Sequence, residues 1–216
     1  MKLLNMKNKT DQNMEQAILE AAEHLFLEKG YAATSTTQIA KAVGCNQALV
    51  HYYFRTKDNL FNTIFESKFR LFFQNIFVTT QLTGMSFQQK IQHIVEAHFD
   101  LLLKNPQLPM LILNELSRRP EQLNTLREKL HALPEQLFAI MNHELETEIA
   151  AGRIKKLSYT DIVITIVSLN VSVFTMLPIA SELIKLSDEQ KNLLLAHRRA
   201  ENVNIVLSYI RPLPSK

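Results

Sequence analysis

The side chains best equipped for specific chemistry gather between Thr36 and Lys57: Thr36 and Thr37, then Asn46, Gln47 and Ala48, then His51, Tyr52, Tyr53 and Lys57. Hydroxyl, carboxamide, imidazole and phenol groups exchange hydrogen bonds, and Lys57 adds a positive charge. Such a set matches the edges of base pairs and the oxygens of phosphates. Gln47 can offer a donor and an acceptor to adenine together, Tyr52 can lay its ring against a thymine methyl, and the threonine hydroxyls and Lys57 can meet phosphates. Bond-making chemistry is a poor match, because no nucleophile-base or metal constellation is evident.

Elsewhere the chemistry is sparse. A single cysteine, Cys45, excludes an intramolecular disulfide framework and a cysteine metal cluster, and fits a reducing cytoplasm. It is expected to pack as a small hydrophobe. Glu144 and Glu148 lie one helical turn apart without a third convergent ligand, so they read as a solvated face, and neither a metal nor a cofactor is expected. His98, Asn114 and Asn170 are polar groups on apolar faces, where a small-molecule effector or an ordinary core partner can satisfy them. Phe69 and Phe73 belong to an aromatic stripe that can wall a cavity or simply form core.

The elements that must position these residues are helices. The chain has 216 residues, 46% of them hydrophobic, with only four glycines and seven prolines, and no alternating run bounded by turn signals; an all-α fold is expected. Three stretches match the capping box, Ser35 with Gln38, Ser86 with Gln89 and Ser187 with Gln190. A first helix is expected from about Asp11 to Lys29, stopped by Gly30. A short one follows from Thr36 to about Val43, ended by Gly44, and a second from about Gln47 to Tyr53, started by Asn46. Two short helices joined by a glycine turn are the core of a helix-turn-helix. Ile39, Ala40, Val43, Val50 and Phe54 recur at helical spacing and should hold the pair together, which leaves Gln47, Ala48, His51 and Tyr52 facing outward.

Thr56 can cap a long fourth helix, with Leu60, Ile64, Phe65, Phe69, Phe72 and Phe73 on one face, running to about Gln81. Beyond it the pattern predicts helices from Ser86 to Lys104, between Pro106 and Pro120, from Pro120 to about Ala151, which Pro134 should bend or break, from Ser158 to Leu177, and from Asp188 to Ile210. The apolar run Ile162 to Leu177 is interrupted by polar residues and reads as a buried helix rather than a membrane span. Because the last two helices are apolar on more than one side, a second copy of the chain is the expected cover. Charge contributes little: the net charge is +3. Met1 to Thr10 has no apolar stretch of signal-peptide length.

With these residues in view, the segment from Thr36 to Leu60 resembles the DNA-binding motif of the TetR/AcrR family of transcriptional regulators. The resemblance rests on Thr36-Thr37, Ile39-Ala40, Val43-Gly44, His51-Tyr52-Tyr53 and Phe54-x-x-Lys57-x-x-Leu60. Ile18 to Ala22 and Leu25 to Tyr31 resemble the first helix of that motif, so the likeness covers about Asp11 to Leu71. Asn46, Val43 and His51 stand where serine, alanine and tyrosine are common, which bears on the operator sequence. Asn105 to Glu115, Arg118 to Glu121 and Glu148 to Ile154 resemble stretches of the family's C-terminal domain.

The resemblance implies a helix-turn-helix domain over residues 11–71 and a helical ligand-binding and dimerisation domain over 72–216. It implies a homodimeric, cytoplasmic repressor of double-stranded operator DNA, released by a small-molecule effector, with no enzymatic activity and no membrane partner. A helical interaction protein that keeps the fold without DNA recognition is the competing reading.

Overall fold

A computed structural model describes residues 2–81, 84–118, 124, 128 and 133–212. The described residues form α-helices without a strand: α1 (Lys2–Lys29), α2 (Thr36–Val43), α3 (Gln47–Phe54), α4 (Lys57–Gln81), α5 (Phe87–Lys104), α6 (Leu108–Arg118), α7 (Leu133–Ala150), α8 (Tyr159–Ile184) and α9 (Asp188–Ile210). The chain divides into two compact units. One comprises residues 1–69 and 110–129, the other 70–109 and 130–216.

In the first unit, α1 begins at Lys2 rather than near Asp11. Nothing between those positions stops a helix, since neither proline nor glycine occurs there. Its core joins Ile18, Ala22, Leu25 and Phe26 of α1 to Ile39 and Ala40 of α2, Val50 and Phe54 of α3, and Leu60, Phe61, Ile64 and Phe65 of α4, all buried. Phe26, Tyr31 and Phe61 meet ring to ring with centroids 4.9–5.5 Å apart.

The turn between α2 and α3 needs Gly44, whose φ of 77° suits a residue without a Cβ; Gly44 N–H donates to the Lys41 carbonyl and closes the helix. Ser35 and Gln38 form the expected capping box, Asn46 Oδ1 accepts from the Leu49 N–H to start α3, and Thr56 Oγ1 accepts from the Asn59 N–H near the start of α4.

The second unit packs α5, α7, α8 and α9 around Ile91, Val95, Met141, Leu145, Ile162, Ile166 and Val206. Ser86 and Ser187 form their expected capping boxes. Ser158 forms a fourth with Asp161, a pairing outside the Glu/Gln pattern. Lys90 of α5 bonds Glu144 of α7 at 2.5 Å, and Arg199 of α9 grips Asp100 of α5 through two bonds of 2.8 Å. That fork holds the Asp100 carboxyl below the usual carboxylate range.

Of the helix expected from Pro120, the described element is α7, with Pro134 as its second residue; the expected start at Pro120 and the Phe72 side chain lie outside the described residues. One expectation changes at α8, which continues past Leu177 through Pro178 to Ile184. Only one face of it is buried: Ile162, Ile166, Asn170 and Phe174 turn inward. Ile164, Val167, Met176, Ile179, Leu183 and Ile184 are exposed, so the helix is not buried by its own chain. Its length and composition suffice to cross a membrane, yet its polar midpoint is spent on neighbours in the same helical unit.

Candidate nucleic-acid interface

The outward face of α3 is as the helical phase requires. Gln47, Ala48, His51 and Tyr52 are exposed, Tyr52 to 74% of its surface, while Val50 and Phe54 on the opposite side are buried. Val43 and Tyr53 are partly buried, and the Tyr53 ring stands edge-on to Tyr52 with centroids 5.1 Å apart. Tyr52 thus presents its hydroxyl and much of its ring to solvent on the same face as Gln47 and His51.

The polar residues of that face are connected. Gln47 Nε2 donates to Thr36 Oγ1 at 3.0 Å, and Thr37 Oγ1 donates to Gln47 Oε1 at 3.0 Å. Gln47 Nε2 also lies 3.2 Å from His51 Nε2, and His51 Nδ1 lies 3.0 Å from the Arg55 carbonyl. The start of α2 and the first two turns of α3 thus form one exposed hydrogen-bonded surface. Asn46, exposed at the start of α3, caps it as expected, its side-chain oxygen accepting from the Leu49 N–H at 2.9 Å.

Lys57 is more enclosed. Its ammonium donates to the Tyr31 and Thr34 carbonyls, both at 2.9 Å, and stands 4.0 Å from the centroid of the Tyr31 ring. Tyr31 in turn donates its hydroxyl to Asp58. Lys57 therefore ties the start of α4 to the loop before α2, a structural duty its sequence position does not announce.

Arg55 was absent from the expected set and is exposed. Its φ of 61° places a non-glycine residue in the left-handed half of the map, and Thr56 N–H closes the tight turn onto the Phe54 carbonyl at 2.6 Å. No sequence signal marks this turn, because the strain is imposed by α3 and α4 on either side. Cys45 is a partly buried free thiol.

Of the residues expected to meet an effector, His98 and Asn170 come together in the second unit. Asn170 Nδ2 donates to the Val95 carbonyl at 2.9 Å and to His98 Nδ1 at 3.1 Å, and Asn170 Oδ1 accepts from Asn202 Nδ2 at 2.8 Å. Arg198 continues the chain to Asn202 Oδ1 at 2.6 Å. Desolvation lowers the pKa of His98 to about 4, so the ring is neutral at pH 7. Asn170 spends both N–H donors on protein partners.

Phe73 packs on the core of the second unit, Phe69 stacks near Phe65 in the first, and Asn114 is exposed on α6. Ser181 Oγ, which sequence reasoning passed over, is buried without a hydrogen-bond partner. Among the described residues no group of three His, Cys, Asp or Glu side chains is placed to hold a metal.

Residues 18–64 match the family model described as bacterial regulatory proteins, tetR family. A fatty acid metabolism regulator protein of Bacillus subtilis is 26% identical over 151 residues, covering 70% of this chain and 75% of that protein. The HTH-type transcriptional regulator QacR of Staphylococcus aureus is 41% identical over 49 residues, 23% of this chain and 26% of that protein.

Among solved structures, a tetR-family regulatory protein from Rhodococcus RHA1 superposes with a TM-score of 0.69 at 19% identity, covering 93% of this chain and 98% of that one. The Bacillus subtilis regulator FadR, solved with stearoyl-CoA, superposes with a TM-score of 0.65 at 21% identity, covering 91% of this chain and 99% of that one.

Proposed function

We propose that this chain, whose residues 18–64 match the tetR family of bacterial regulatory proteins, is a cytoplasmic homodimeric repressor of the TetR/AcrR type whose operator is read by α3 and released when a small molecule binds the helical domain. The observation that carries the reading is the exposed face of Gln47, Ala48, His51 and Tyr52, braced by Thr36 and Thr37 and backed by a buried core. Residues 11–71 supply DNA recognition and 72–216 supply the effector site and the dimer contact.

The dimer contact lies on α8 and α9. Ile164, Val167, Met176, Ile179 and Leu183 spread over the half of α8 opposite its buried residues Ile162, Ile166, Asn170 and Phe174, and Leu193 adds an exposed apolar group on α9. A stripe of this length left to water favours association, and two-fold pairing of two helices from each copy covers it. Two copies then present two α3 helices to two half-sites of a duplex, about one helical turn apart. Effector binding favours the dimer state whose α3 helices no longer fit both half-sites, which is how ligand and operator become linked.

The complex of FadR with stearoyl-CoA makes long-chain acyl-CoA the first effector to test. Footprinting and gel shifts with DNA upstream of the protein's own gene test the reading. Protection of two half-sites, lost on adding the effector, is the expected result. Equal binding to that DNA and to an unrelated duplex contradicts it.

A further inference from the structure

The geometry points to His51 as the residue that fixes which end of the Gln47 carboxamide faces DNA, so that Gln47 reads a base through its oxygen alone. This rests on the DNA-binding reading above and concerns what α3 reads.

Donors and acceptors can be counted at each atom. The Arg55 carbonyl can only accept, so His51 Nδ1, 3.0 Å from it, is the ring nitrogen that donates. That assigns the lone pair to His51 Nε2, which accepts. The Gln47 atom 3.2 Å from it therefore has to be the amide nitrogen, since the amide oxygen would set two acceptors against each other.

With one N–H given to His51 and the other to Thr36 Oγ1 at 3.0 Å, the nitrogen has no hydrogen left. The oxygen accepts once, from Thr37 Oγ1 at 3.0 Å, and keeps a second lone pair. Thr36, which accepts from Gln47, keeps its own hydroxyl hydrogen for a phosphate.

Gln47 thus offers DNA one acceptor and no donor. In the major groove an acceptor pairs with the exocyclic amino groups of cytosine N4 and adenine N6, while guanine and thymine present only acceptors or a methyl at the corresponding edge. The face should accept either amino base at the contacted position and reject both keto bases. A free glutamine, by contrast, makes the paired donor and acceptor contact that singles out adenine. His51 acts through Gln47 as a positioning residue, and the strained turn at Arg55 is what aims the carbonyl at its ring.

Selection of binding sites from a randomised duplex pool by the full-length protein, followed by competition binding on duplexes varied at the contacted position, tests the inference. The wild type is expected to take adenine and cytosine alike there, over guanine and thymine by about 5- to 150-fold. Gln47→Glu, which has acceptors only, should keep that pattern at lower overall affinity, and Gln47→Ala should flatten it. His51→Ala frees one amide hydrogen and should move the preference to adenine over cytosine. A wild type that prefers adenine and rejects cytosine overturns the inference, as does a His51→Ala pattern identical to the wild type. Failure of the wild type to enrich any sequence overturns the DNA-binding reading itself, a result distinct from an unmoved preference.

Discussion

His51 and His98 each accept a hydrogen bond from a carboxamide, Gln47 in one unit at 3.2 Å and Asn170 in the other at 3.1 Å. In both places the amide is also tied to a second helix. The surroundings differ: Gln47 and His51 are exposed, whereas Asn170 and Asn202 are fully buried. The exposed cluster is open to solvent, so the second lone pair of Gln47 Oε1 can meet water or another donor while its amide nitrogen stays tied to Thr36 and His51. In the buried one no such opening exists, and the same chemistry is committed to fixing how α5, α8 and α9 meet. The same pairing of carboxamide and imidazole is therefore left open to an outside partner in one unit and committed to packing in the other.

The contrast is broken most strongly at the third kind of surface, the exposed apolar stripe of α8. Ile179→Glu places a carboxylate on that stripe in each copy of a two-fold pair, and should weaken association by about 4 kcal/mol, roughly a thousandfold in the dissociation constant. Sedimentation at micromolar concentration should show a monomer for the variant and a dimer for the wild type. An unchanged dimer would place the contact on another face.

Asn170→Ala removes the donor to His98 Nδ1, the second donor to the Val95 carbonyl and the acceptor of one Asn202 N–H together, and should lower stability by about 3 kcal/mol in denaturant titration. Gln47→Ala at the exposed site should change it by less than about 0.5 kcal/mol. Similar losses from both substitutions would erase the distinction between the two networks.

A third outcome concerns pH. The unfolded His98 ring takes up its proton near its ordinary value of 6.5, the folded one only near 4. Between those limits the unfolded chain binds more protons, so stability falls as pH is lowered through that window, by about 3 kcal/mol in all, and this contribution stays constant below it. Denaturant midpoints measured from pH 7 to pH 4 should show the slope in the wild type and a shallower one in His98→Gln.

A smaller loss than at Asn170 or His98 is expected for Lys57→Met, which leaves the Tyr31 and Thr34 carbonyls without their ammonium donor. It should destabilise the protein by about 1 to 2 kcal/mol, in addition to any loss of a phosphate contact. A variant with wild-type stability and a salt dependence of DNA binding reduced by about one counterion would mean that Lys57 serves phosphate alone.

Much of this architecture is legible without coordinates. The three serine capping boxes with glutamine, the stops at Gly30 and Gly44, and the outward phase of Gln47, Ala48, His51 and Tyr52 all depend on residues within four positions of one another. The Ser158–Asp161 box escaped because aspartate is shorter than the glutamine the pattern seeks, and the early start of α1 escaped because a missing stop signal says less than a present one.

Interactions along one helix follow from its 3.6-residue period alone, and so the sequence by itself determined the helices, their caps and the faces they turn outward. Only the tertiary structure decided what those faces meet. Thr37 reaches Gln47 across ten positions, Lys57 reaches Tyr31 across 26, and Asn170 joins Asn202 across 32 and His98 across 72. Such pairings depend on which helices pack together, and any of several partners with the same polarity would satisfy the same side chain. His51 Nδ1 meets the Arg55 carbonyl because the backbone at Arg55 takes a φ of 61°, a geometry no residue type encodes. The apolar face of α8 stays exposed because α5, α7 and α9 cover only its other side, a division of one helix surface that hydrophobicity alone leaves undetermined.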